Sequence, residues 1–235
     1  ELLAIDHNYK LRVIIKILWD ENETKMSQRK ATKFIVEDNA GGIAANRFVN
    51  AFEPAKTPDN NTGLNEFGMG LKTAACWLGN KWVVHTKALG EGVSRIVSFD
   101  QALVTKNNLE EIDVKTQDAD TNQHFTNIEI EVPTKNVPTE KSLEKIKTEL
   151  ASIYRNSLRN DEFELYVNND PLSFTEYAIL NAPYYKNPEG PSQVWKKDID
   201  FAFGPYKAKG FIGILRDLKS TQNGLVLSRR GRVII

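Results

Sequence analysis

Two glycine-rich junctions, roughly thirty residues apart, constrain this sequence more than any other feature. The first, KFIVEDNAGGIAANRF (residues 33–48), places Asp38 and two glycines directly after an apolar run. The second, NEFGMGLKTAACWLG (residues 65–79), places glycines before a run with helical spacing. Glycine lets the backbone approach a ligand closely, and the start of a helix offers unpaired N–H groups to an anion. The pair therefore indicates a ligand site that carries one carboxylate and can hold an anion.

Each junction has a simpler interpretation when it is considered alone. Asp, Asn and Gly dominate turns, so DNAGG by itself is typical of a turn, and GMG before a helix is usually a packing feature. Neither junction fits the Walker pattern or the dinucleotide-binding fingerprint. What favours a site is their order along the chain, with the polar loop of residues 53–65 between them.

Composition excludes some classes of function. The 235 residues are 40% apolar and 26% charged, which suits one large domain or two modest ones. Lys plus Arg equals Asp plus Glu at 31 each, so bulk charge indicates neither nucleic-acid nor membrane binding, although a local basic patch stays open. No apolar run is long enough to span a membrane. The single Cys76 cannot form an internal disulfide, and we predict a cytoplasmic location.

Hydrophobic periodicity predicts a mixed α+β chain. Alternating or β-branched runs predict strands, and apolar residues at helical spacing predict helices. The predicted helices are 43–52, 70–79 and 139–158, the last with Thr139 as its cap. The predicted strands lie in 10–20, 33–38, 81–88, 93–99, 126–133, 162–174, 208–217 and 224–235. The segment from Pro133 to Pro138 is the predicted domain boundary, which divides the chain into 1–135 and 136–235.

The motif pair EDNAGGI and EFGMGLKTA, followed by FTNIEI, resembles the GHKL superfamily of ATP-binding domains, which includes gyrase, heat-shock-ninety chaperones, histidine kinases and MutL. Within that superfamily the motifs look most similar to MORC-like ATPases. The resemblance implies a Bergerat-type α/β sandwich over residues 1–135 that binds ATP with Mg²⁺.

The resemblance also implies roles for particular residues. Asp38 would accept a hydrogen bond from the adenine amino group, and Gly41 and Gly42 would let the base lie against the backbone. Thr126 would help to hold the adenine and its water. The residues that would cradle the phosphates are Gly68, Met69, Gly70, Leu71 and Lys72. Two positions depart from the family pattern, because Ala40 and Phe125 stand where glycine is usual.

Residues 136–235 resemble the smaller βαββ transducer domain of the gyrase, MutL and MORC type. In that family the transducer delivers a basic residue to the γ-phosphate, and the candidates here are Lys219, Arg229, Arg230 and Arg232. A basic turn or a nucleic-acid contact explains SRRGR equally well. His7, His85 and His124 have no Cys or acid neighbour at ligand spacing, so we predict that they lie on surfaces or in the core.

The family's first helix carries E-x-x-x-N, in which Glu orients the attacking water and Asn binds Mg²⁺. The chain begins with ELLAID, which supplies Glu1 but has Ile5 at the Asn position, and an apolar side chain cannot ligate Mg²⁺. Residues can be missing before or within ELLAID, AID can match the end of the family helix, or the protein can bind ATP and hydrolyse it poorly. We favour missing residues and expect a longer protein beyond both ends. Glu1 is otherwise a solvated terminal acid.

The predicted function is that of a hydrolase: ATP binding and slow Mg²⁺-dependent hydrolysis to ADP and phosphate. Hydrolysis would drive closure of a lid at residues 53–67 and ATP-dependent homodimerisation of a larger multidomain protein, which can contact DNA through other domains. One alternative is a non-hydrolysing nucleotide-sensing module of a DNA-processing or defence protein. Another is a structural domain with an inactive pocket.

Overall fold

The computed structural model describes residues 8–53, 69–109, 111–217 and 224–234. These residues form two compact units. The first unit contains the described residues up to Phe174 together with Ser228–Ile234, and the second contains those of Thr175–Leu227.

A mixed sheet of eight strands forms the framework of the first unit. Its strands are β1 (Leu11–Trp19), β2 (Ala31–Asp38), β3 (Gly79–Lys87), β4 (Val93–Asp100), β5 (Val114–Asp118), β6 (Phe125–Pro133), β7 (Phe163–Val167) and β8 (Asp170–Pro171). The order across the sheet is β5-β4-β3-β6-β2-β1-β7-β8. All neighbours are antiparallel except β1 and β7, which are parallel. The polar stretch between β1 and β2 makes the predicted hairpin connection.

The helices of the first unit are α1 (Ala45–Phe52), α2 (Gly70–Leu78), α3 (Gln101–Asn107), α4 (Leu143–Ile153) and α5 (Arg155–Arg159). The prediction of an α+β fold is confirmed, and so are the helices at 43–52 and 70–79. The sequence pattern did not indicate α3 or β5. Asp100 ends β4 and caps α3, because its carboxylate accepts from the amides of Ala102 and Leu103 at 3.0 and 3.2 Å.

The single helix predicted over 139–158 is wrong in two respects. Thr139 makes no side-chain capping bond, and Glu140–Ser142 form a 3₁₀ turn before α4 begins. The helix is then interrupted at Tyr154, which has φ −99° and ψ 15°. Its ring packs edge-on against Phe163, a tertiary contact that an i, i+3, i+4 pattern does not encode.

The core of the first unit lies on one face of the sheet. Along β3, Trp82 and Val84 alternate with partly exposed residues, as expected for a strand with one buried face. Phe48 of α1 and Ala75 of α2 belong to the same buried cluster. Each fully buried large apolar side chain contributes about 1.5–3 kcal/mol to folding. This packing fixes α1 and α2, which follow the two glycine junctions, on the sheet.

The chain after the predicted domain boundary continues the same sheet. β7 pairs in parallel with β1, with Leu11 opposite Phe163 and Ile15 opposite Val167. Leu165 and Val167 are buried. The functional division between residues 1–135 and 136–235 stays a prediction, while the compact unit itself extends to Phe174.

The second unit contains β9 (Asn181–Ala182), β10 (Gln193–Val194) and the hairpin of β11 (Lys196–Phe203) and β12 (Tyr206–Gly213). The hairpin register places Phe203 opposite Tyr206 and Asp200 opposite Lys209, so one face is apolar and the other is charged. Within the described part of the chain, every helix is too short or too polar to cross a membrane.

Candidate functional site

Three polar side chains form a row across neighbouring strands of the first unit. Asp38 at the end of β2 pairs with Thr126 on β6, and Thr126 pairs with Thr86 on β3. Directly opposed residues in a sheet present their side chains on the same face. The row formed by Asp38, Thr126 and Thr86, hereafter the polar row, therefore lies on one face of the sheet, near the ends of three central strands.

The polar row borders an apolar surface. Val36 lies two residues before Asp38 on β2, and Val84 lies two residues before Thr86 on β3. Ile128 lies two residues after Thr126 on β6 and is opposite both valines. Because side chains alternate along a strand, these residues share the face of the polar row. Val84 is fully buried, and Ile128 packs against the core. Val36 and Ile128 remain partly exposed, so the site combines a small apolar surface with hydrogen-bonding groups at the ends of the strands.

Asp38 is partly buried at the start of the glycine turn. Its Oδ1 accepts from the amide of Ala40 at 2.9 Å. Burial raises the pKa of Asp38, and hydrogen bonds from the amides of Ala40 and Thr126 oppose that shift. A partly buried carboxylate has lost part of its hydration, so a ligand donor that replaces the lost water is bound strongly. An exposed carboxylate keeps its water and gains less from such a donor.

Tyr9 and His124 flank the same turn. The Tyr9 hydroxyl donates to the carbonyl of Asn39 at 2.8 Å, and its ring lies edge-on to His124 at 5.9 Å between centroids. Burial raises the pKa of Tyr9, and the negative charge of Asp38 adds to this effect. Nδ1 of His124 lies 3.1 Å from the carbonyl oxygen of Ala40. His124 thus contacts the candidate site, although the sequence indicated only a surface or core position.

Gly42 is required where it stands. Its φ is +70°, and a Cβ there would lie 2.0 Å from the carbonyl oxygen of Lys87 and 2.9 Å from Cα of Ala88. Gly41 bonds the same segment, because its carbonyl accepts from the amide of Leu89 at 3.1 Å. By contrast, Ala40 is outside the positive-φ region, so the absence of glycine there causes no strain. The turn lies directly against the end of β3.

Thr86 ties the turn to the polar row. Its Oγ1 accepts from the amide of Ile43 at 2.9 Å and lies 3.1 Å from both the Phe125 carbonyl and Oγ1 of Thr126. Thr86 is fully buried and Thr126 nearly so. Phe125 alternates to the opposite face of the sheet, where its ring packs edge-on against His85 at 5.0 Å. The large side chain at position 125 therefore does not enter the site.

A buried lysine supports the segment on which Gly42 packs. Nζ of Lys87 donates to the carbonyls of Ala88, Glu91 and Gln123 at 2.7, 2.6 and 3.2 Å. The carboxylate of Glu91 accepts from the amide of Ala45 at 2.8 Å and so caps α1. Burial acts to raise the pKa of Glu91, but hydrogen bonds from the Ala45 amide and the Arg95 guanidinium outweigh it and lower the pKa.

The second glycine junction is more open. Gly70 begins α2, and no atom of the described residues lies within 4 Å of the position that a Cβ there would occupy. Met69 and Gly70 are exposed, while Leu71 packs against the core. Nζ of Lys72 donates to the carbonyl of Glu53, at the end of α1, at 2.6 Å. Burial lowers the pKa of Lys72.

Three of the four predicted γ-phosphate sensors lie in a short hairpin of the first unit. β13 (Ser228–Arg229) and β14 (Arg232–Val233) are joined by Arg230 and Gly231, whose φ values of 53° and 80° are those of a type I′ turn. The hairpin packs on α5, because Nδ2 of Asn156 donates to the carbonyl of Gly231 at 3.1 Å. The guanidinium of Arg232 lies 5.9 Å from the Tyr154 ring centroid.

Several predicted residues lie outside the described residues. They are Glu1, Gly68, Lys219 and residues 54–67 of the predicted lid. Their roles stay predictions, as do those of Arg229, Arg230 and Arg232. Among the described residues, no cluster of three or more His, Cys, Asp or Glu side chains could hold a metal ion.

The structure places Thr126 opposite Asp38 and the turn of Gly41 and Gly42 directly after it. The roles of these residues in adenine binding stay predictions. Sequence reasoning missed Thr86, Tyr9 and Lys87. Threonine and lysine near the end of a strand are ordinary residues, so only the pairing of β3 with β6 indicates that Thr86 stands beside Thr126.

The family model for histidine kinase-, DNA gyrase B- and HSP90-like ATPases matches residues 10–131, just over half of the chain. Among curated protein sequences, none matches.

Among the solved structures to which the chain is similar, the three that follow have low sequence identity. The ATPase region of Saccharomyces cerevisiae topoisomerase II is 10% identical, with a TM-score of 0.48 over 74% of this chain and 46% of that one. The Aquifex aeolicus MutL ATPase domain complexed with ADP is 14% identical, with a TM-score of 0.42 over 70% and 57%. The ATPase and transducer domains of Balamuthia mandrillaris DNA topoisomerase II are 12% identical, with a TM-score of 0.45 over 72% and 44%.

The chain thus spans about half the length of these structures. All three TM-scores lie below 0.5, so the assignment rests on the family model. The chain belongs to the family of histidine kinase-, DNA gyrase B- and HSP90-like ATPases.

Proposed function

We propose that the chain binds ATP, with the adenine over the apolar surface beside the polar row, and hydrolyses it slowly. The observation that carries this proposal is the alignment of Asp38, Thr126 and Thr86 beside a turn whose Gly42 leaves no room for a side chain. A flat, apolar ring with an exocyclic amino group fits such a surface. Its amino group would donate to the partly buried carboxylate of Asp38.

Each described residue has a definite part in this proposal. A hydrogen bond from the adenine amino group to Asp38 contributes about 1.5–3 kcal/mol, because the acceptor is ionised. Thr126 is held by Thr86 and contributes its hydroxyl to the adenine edge. The open start of α2 would present amides to the phosphates, since nothing in the described chain fills the space beside Gly70. Lys72 would turn from the Glu53 carbonyl toward the phosphates.

Hydrolysis would proceed by in-line attack of water, with catalysis that comes mainly from positioning and charge neutralisation. In the family, the attacking water is oriented by an acid for which Glu1 is the candidate. Mg²⁺ would act as the counter-ion of the phosphates.

The finer parts of the proposal concern assembly. Closure of the segment 53–67 over bound ATP and ATP-dependent homodimerisation would make the chain a switch within a larger protein. The proposal also includes a transducer-like role for residues 136–235 and a MORC-like subtype. It further includes DNA contact through other domains and a cytoplasmic location. The alternative is a nucleotide sensor without hydrolysis, which is favoured by Ile5 at the position of the Mg²⁺-binding Asn.

Asp38→Asn tests nucleotide binding. Isothermal titration with a non-hydrolysable ATP analogue should show an affinity about 10- to 100-fold below that of wild type, because an amide is a weaker acceptor than a carboxylate. Glu37→Gln is the matched control, since Glu37 lies next to Asp38 on β2 and pairs with Lys16 on the opposite face. Equal affinity in wild type and Asp38→Asn would refute the adenine site.

Single Ala substitutions of Arg229, Arg230 and Arg232 test the switch. All three variants should bind ADP normally, and at least one should lose dimerisation in sedimentation with the ATP analogue, because contact with the γ-phosphate is absent in ADP. Lys219→Ala extends the test to the neighbouring loop. If all four variants dimerise as wild type does, the basic hairpin is a solvated turn or a nucleic-acid contact.

A further inference from the structure

The hairpin of β11 and β12 in the second unit has one face made of exposed apolar side chains, hereafter the apolar face. Because side chains alternate along each strand, the hairpin register places six apolar residues on this face: Ile199, Phe201, Phe203, Tyr206, Ala208 and Ile212. Phe201 is 57% exposed, Phe203 77% and Tyr206 74%. Gly210 also belongs to the apolar face, and no atom of the described residues lies within 4 Å of a Cβ added there. The apolar face is therefore accessible to a binding partner.

The opposite face of the hairpin satisfies its own groups. Nζ of Lys196 lies 3.1 Å from the Asp198 carboxylate, and Nζ of Lys209 lies 2.9 Å from that of Asp200. The large apolar side chain on this face, Phe211, has the ammonium of Lys196 at 4.5 Å from its ring centroid. Within the described chain, it is therefore the apolar face that needs a partner.

The hairpin has few contacts of its own to stabilise it. Among the described strands, β11 and β12 pair only with each other. A two-stranded ribbon is marginally stable in water unless its apolar face is covered. Exposed apolar surfaces that are rimmed by polar residues mark interaction sites. Covering the apolar face would therefore stabilise the hairpin.

The outer edges of the hairpin do not suit a symmetric contact between two copies. β11 carries Asp198 and Asp200, and β12 carries Lys207 and Lys209. Antiparallel pairing of either strand with its own copy would place like charges opposite each other, which is destabilising. A symmetric contact therefore has to use the apolar face.

The apolar face is complementary to itself. Lys197 lies on it at the base, opposite Ile212, and Phe203 lies on it at the turn. If a second copy stacks on this face with its strands antiparallel, a two-fold axis brings Lys197 of each copy over Phe203 of the other. An ammonium is attracted to the face of an aromatic ring, so both ends of the stack gain the same contact. A purely apolar occupant would gain nothing from Lys197.

The area of the apolar face is sufficient for a weak dimer. An aromatic side chain buries about 150–250 Å² when it is fully covered, so the exposed parts of Phe201, Phe203 and Tyr206 supply roughly 300–500 Å² from each copy. With the isoleucines and the stem of Lys197, two copies would bury on the order of 1,000 Å² in total. This value lies at the low end for specific interfaces.

We propose that the apolar face of the β11–β12 hairpin binds the same face of a second copy of the chain, with the strands antiparallel. The contact does not require nucleotide and lies in the second unit, so it goes beyond the proposed function, which concerns ATP bound to the first. Because the interface is small, its dissociation constant would be about 10–100 µM.

Sedimentation equilibrium of the 235-residue chain without nucleotide tests this contact. Wild type should show a monomer–dimer equilibrium in that concentration range. Phe201→Thr should raise the dissociation constant by about tenfold or more, because aromatic residues dominate small interfaces. Phe211→Thr is the matched control, since Phe211 is 54% exposed on the same hairpin but lies on the opposite face, and it should change little. A monomer at all concentrations, or equal constants in the two variants, would overturn the proposal.

Cross-linking tests the antiparallel arrangement and does not depend on Phe201→Thr keeping its hairpin. Cys76→Ser removes the single cysteine of the sequence. In that background, Lys197→Cys chains mixed with Phe203→Cys chains should give at least about fivefold more dimer with bismaleimidoethane than either chain gives alone. Copies of the same cysteine would be far apart, because the two positions are separated by about 20 Å along the strand. Equal yields from the mixture and from the single chains would contradict the arrangement.

The hairpin contact and the nucleotide site fail independently. Without nucleotide, Asp38→Asn should dimerise with the same dissociation constant as wild type, because Asp38 belongs to the first unit. The ATP-dependent dimerisation of the proposed function is measured at about 1 µM, where a contact of this small area is dissociated. A loss of the hairpin dimer in Asp38→Asn would overturn the assignment of this contact to the apolar face.

Discussion

The glycine turn after β2 and the glycine start of α2 look alike in the sequence but have different surroundings. At Gly42, a Cβ would collide with the backbone of Lys87, and φ is positive. At Gly70, no atom of the described residues lies within 4 Å of an added Cβ, and φ is not in the positive region. Asp38, at the start of the first glycine turn, is hydrogen-bonded and partly buried. Met69, directly before Gly70, is exposed.

This difference separates two reasons for a glycine. Gly42 is needed for the chain to fold against itself, so its presence alone does not demonstrate a ligand. Gly70 has no such packing constraint within the described residues. The first junction therefore forms the rigid part of the site, and the second junction is the proposed phosphate contact.

The largest expected effect is that of Gly42→Ala. The added methyl must displace the backbone at Lys87 and Ala88 and adopt a strained φ, so we expect the free energy of unfolding in urea to fall by about 3–5 kcal/mol. Gly90→Ala is the control, because Gly90 also has positive φ (+82°) but has open space around it. Its cost should be the strain alone, about 1–2 kcal/mol. Equal losses in the two variants would remove the packing argument for Gly42.

Lys87→Met should have the next largest effect. The substitution removes the three hydrogen bonds that Lys87 donates to backbone carbonyls. The segment against which Gly42 packs then loses its support. We expect a loss of about 2–4 kcal/mol in the free energy of unfolding. Lys115→Met, at an exposed position of β5, should change stability by less than about 0.5 kcal/mol. If the two variants lose equally little, Lys87 is not a support.

The pH dependence of Asp38 gives a smaller, signed effect. Burial raises its folded-state pKa, so its contribution to stability is greatest below the unfolded pKa and is lost as the pH rises through the folded value. In Asp38→Asn without nucleotide, the loss of stability with rising pH should disappear. Urea denaturation at pH values between the unfolded and folded pKa of Asp38 would measure it. Affinity for the ATP analogue should change in the opposite direction and fall as the pH drops, because protonated Asp38 is a weaker acceptor than the carboxylate.

Glu91 supplies the contrast within the same site. Its pKa is lowered by the Ala45 amide and Arg95 against the effect of burial, so its stabilising contribution is present above the unfolded pKa and is lost as the pH falls through the folded value. Asp38→Asn and Glu91→Gln should therefore change the pH profile of stability with opposite signs. The same sign in both variants would contradict the assigned environments.

The smallest effect on stability is expected for Gly70→Ala. The methyl meets no neighbour and the residue is helical, so the free energy of unfolding should change by no more than about 1 kcal/mol. Affinity for the ATP analogue should nevertheless fall by about tenfold or more if phosphates approach the helix start closely. A large loss of stability would place Gly70 in the same class as Gly42 and break the comparison.

Much of the framework could be predicted because it is encoded locally. Alternation along β3 and β6 and the spacing of α1 and α2 are properties of a few consecutive residues, and the motifs around Asp38 and Gly70 are contiguous. The elements that the sequence did not indicate depend on distant partners. The interruption at Tyr154 accompanies its packing on Phe163, and β5 has a fully exposed strand pattern without an apolar face.

The sequence by itself determined the α+β class, the two glycine junctions and the carboxylate at Asp38, because periodicity and turn chemistry act over a few residues. Only the tertiary structure decided that Thr86 and Thr126 stand beside Asp38, since strand order and register are set by pairings between residues far apart in the chain. It also decided which glycine is needed for folding. The space around Gly42 and Gly70 depends on whether the backbone of another element lies there, and no local pattern records that.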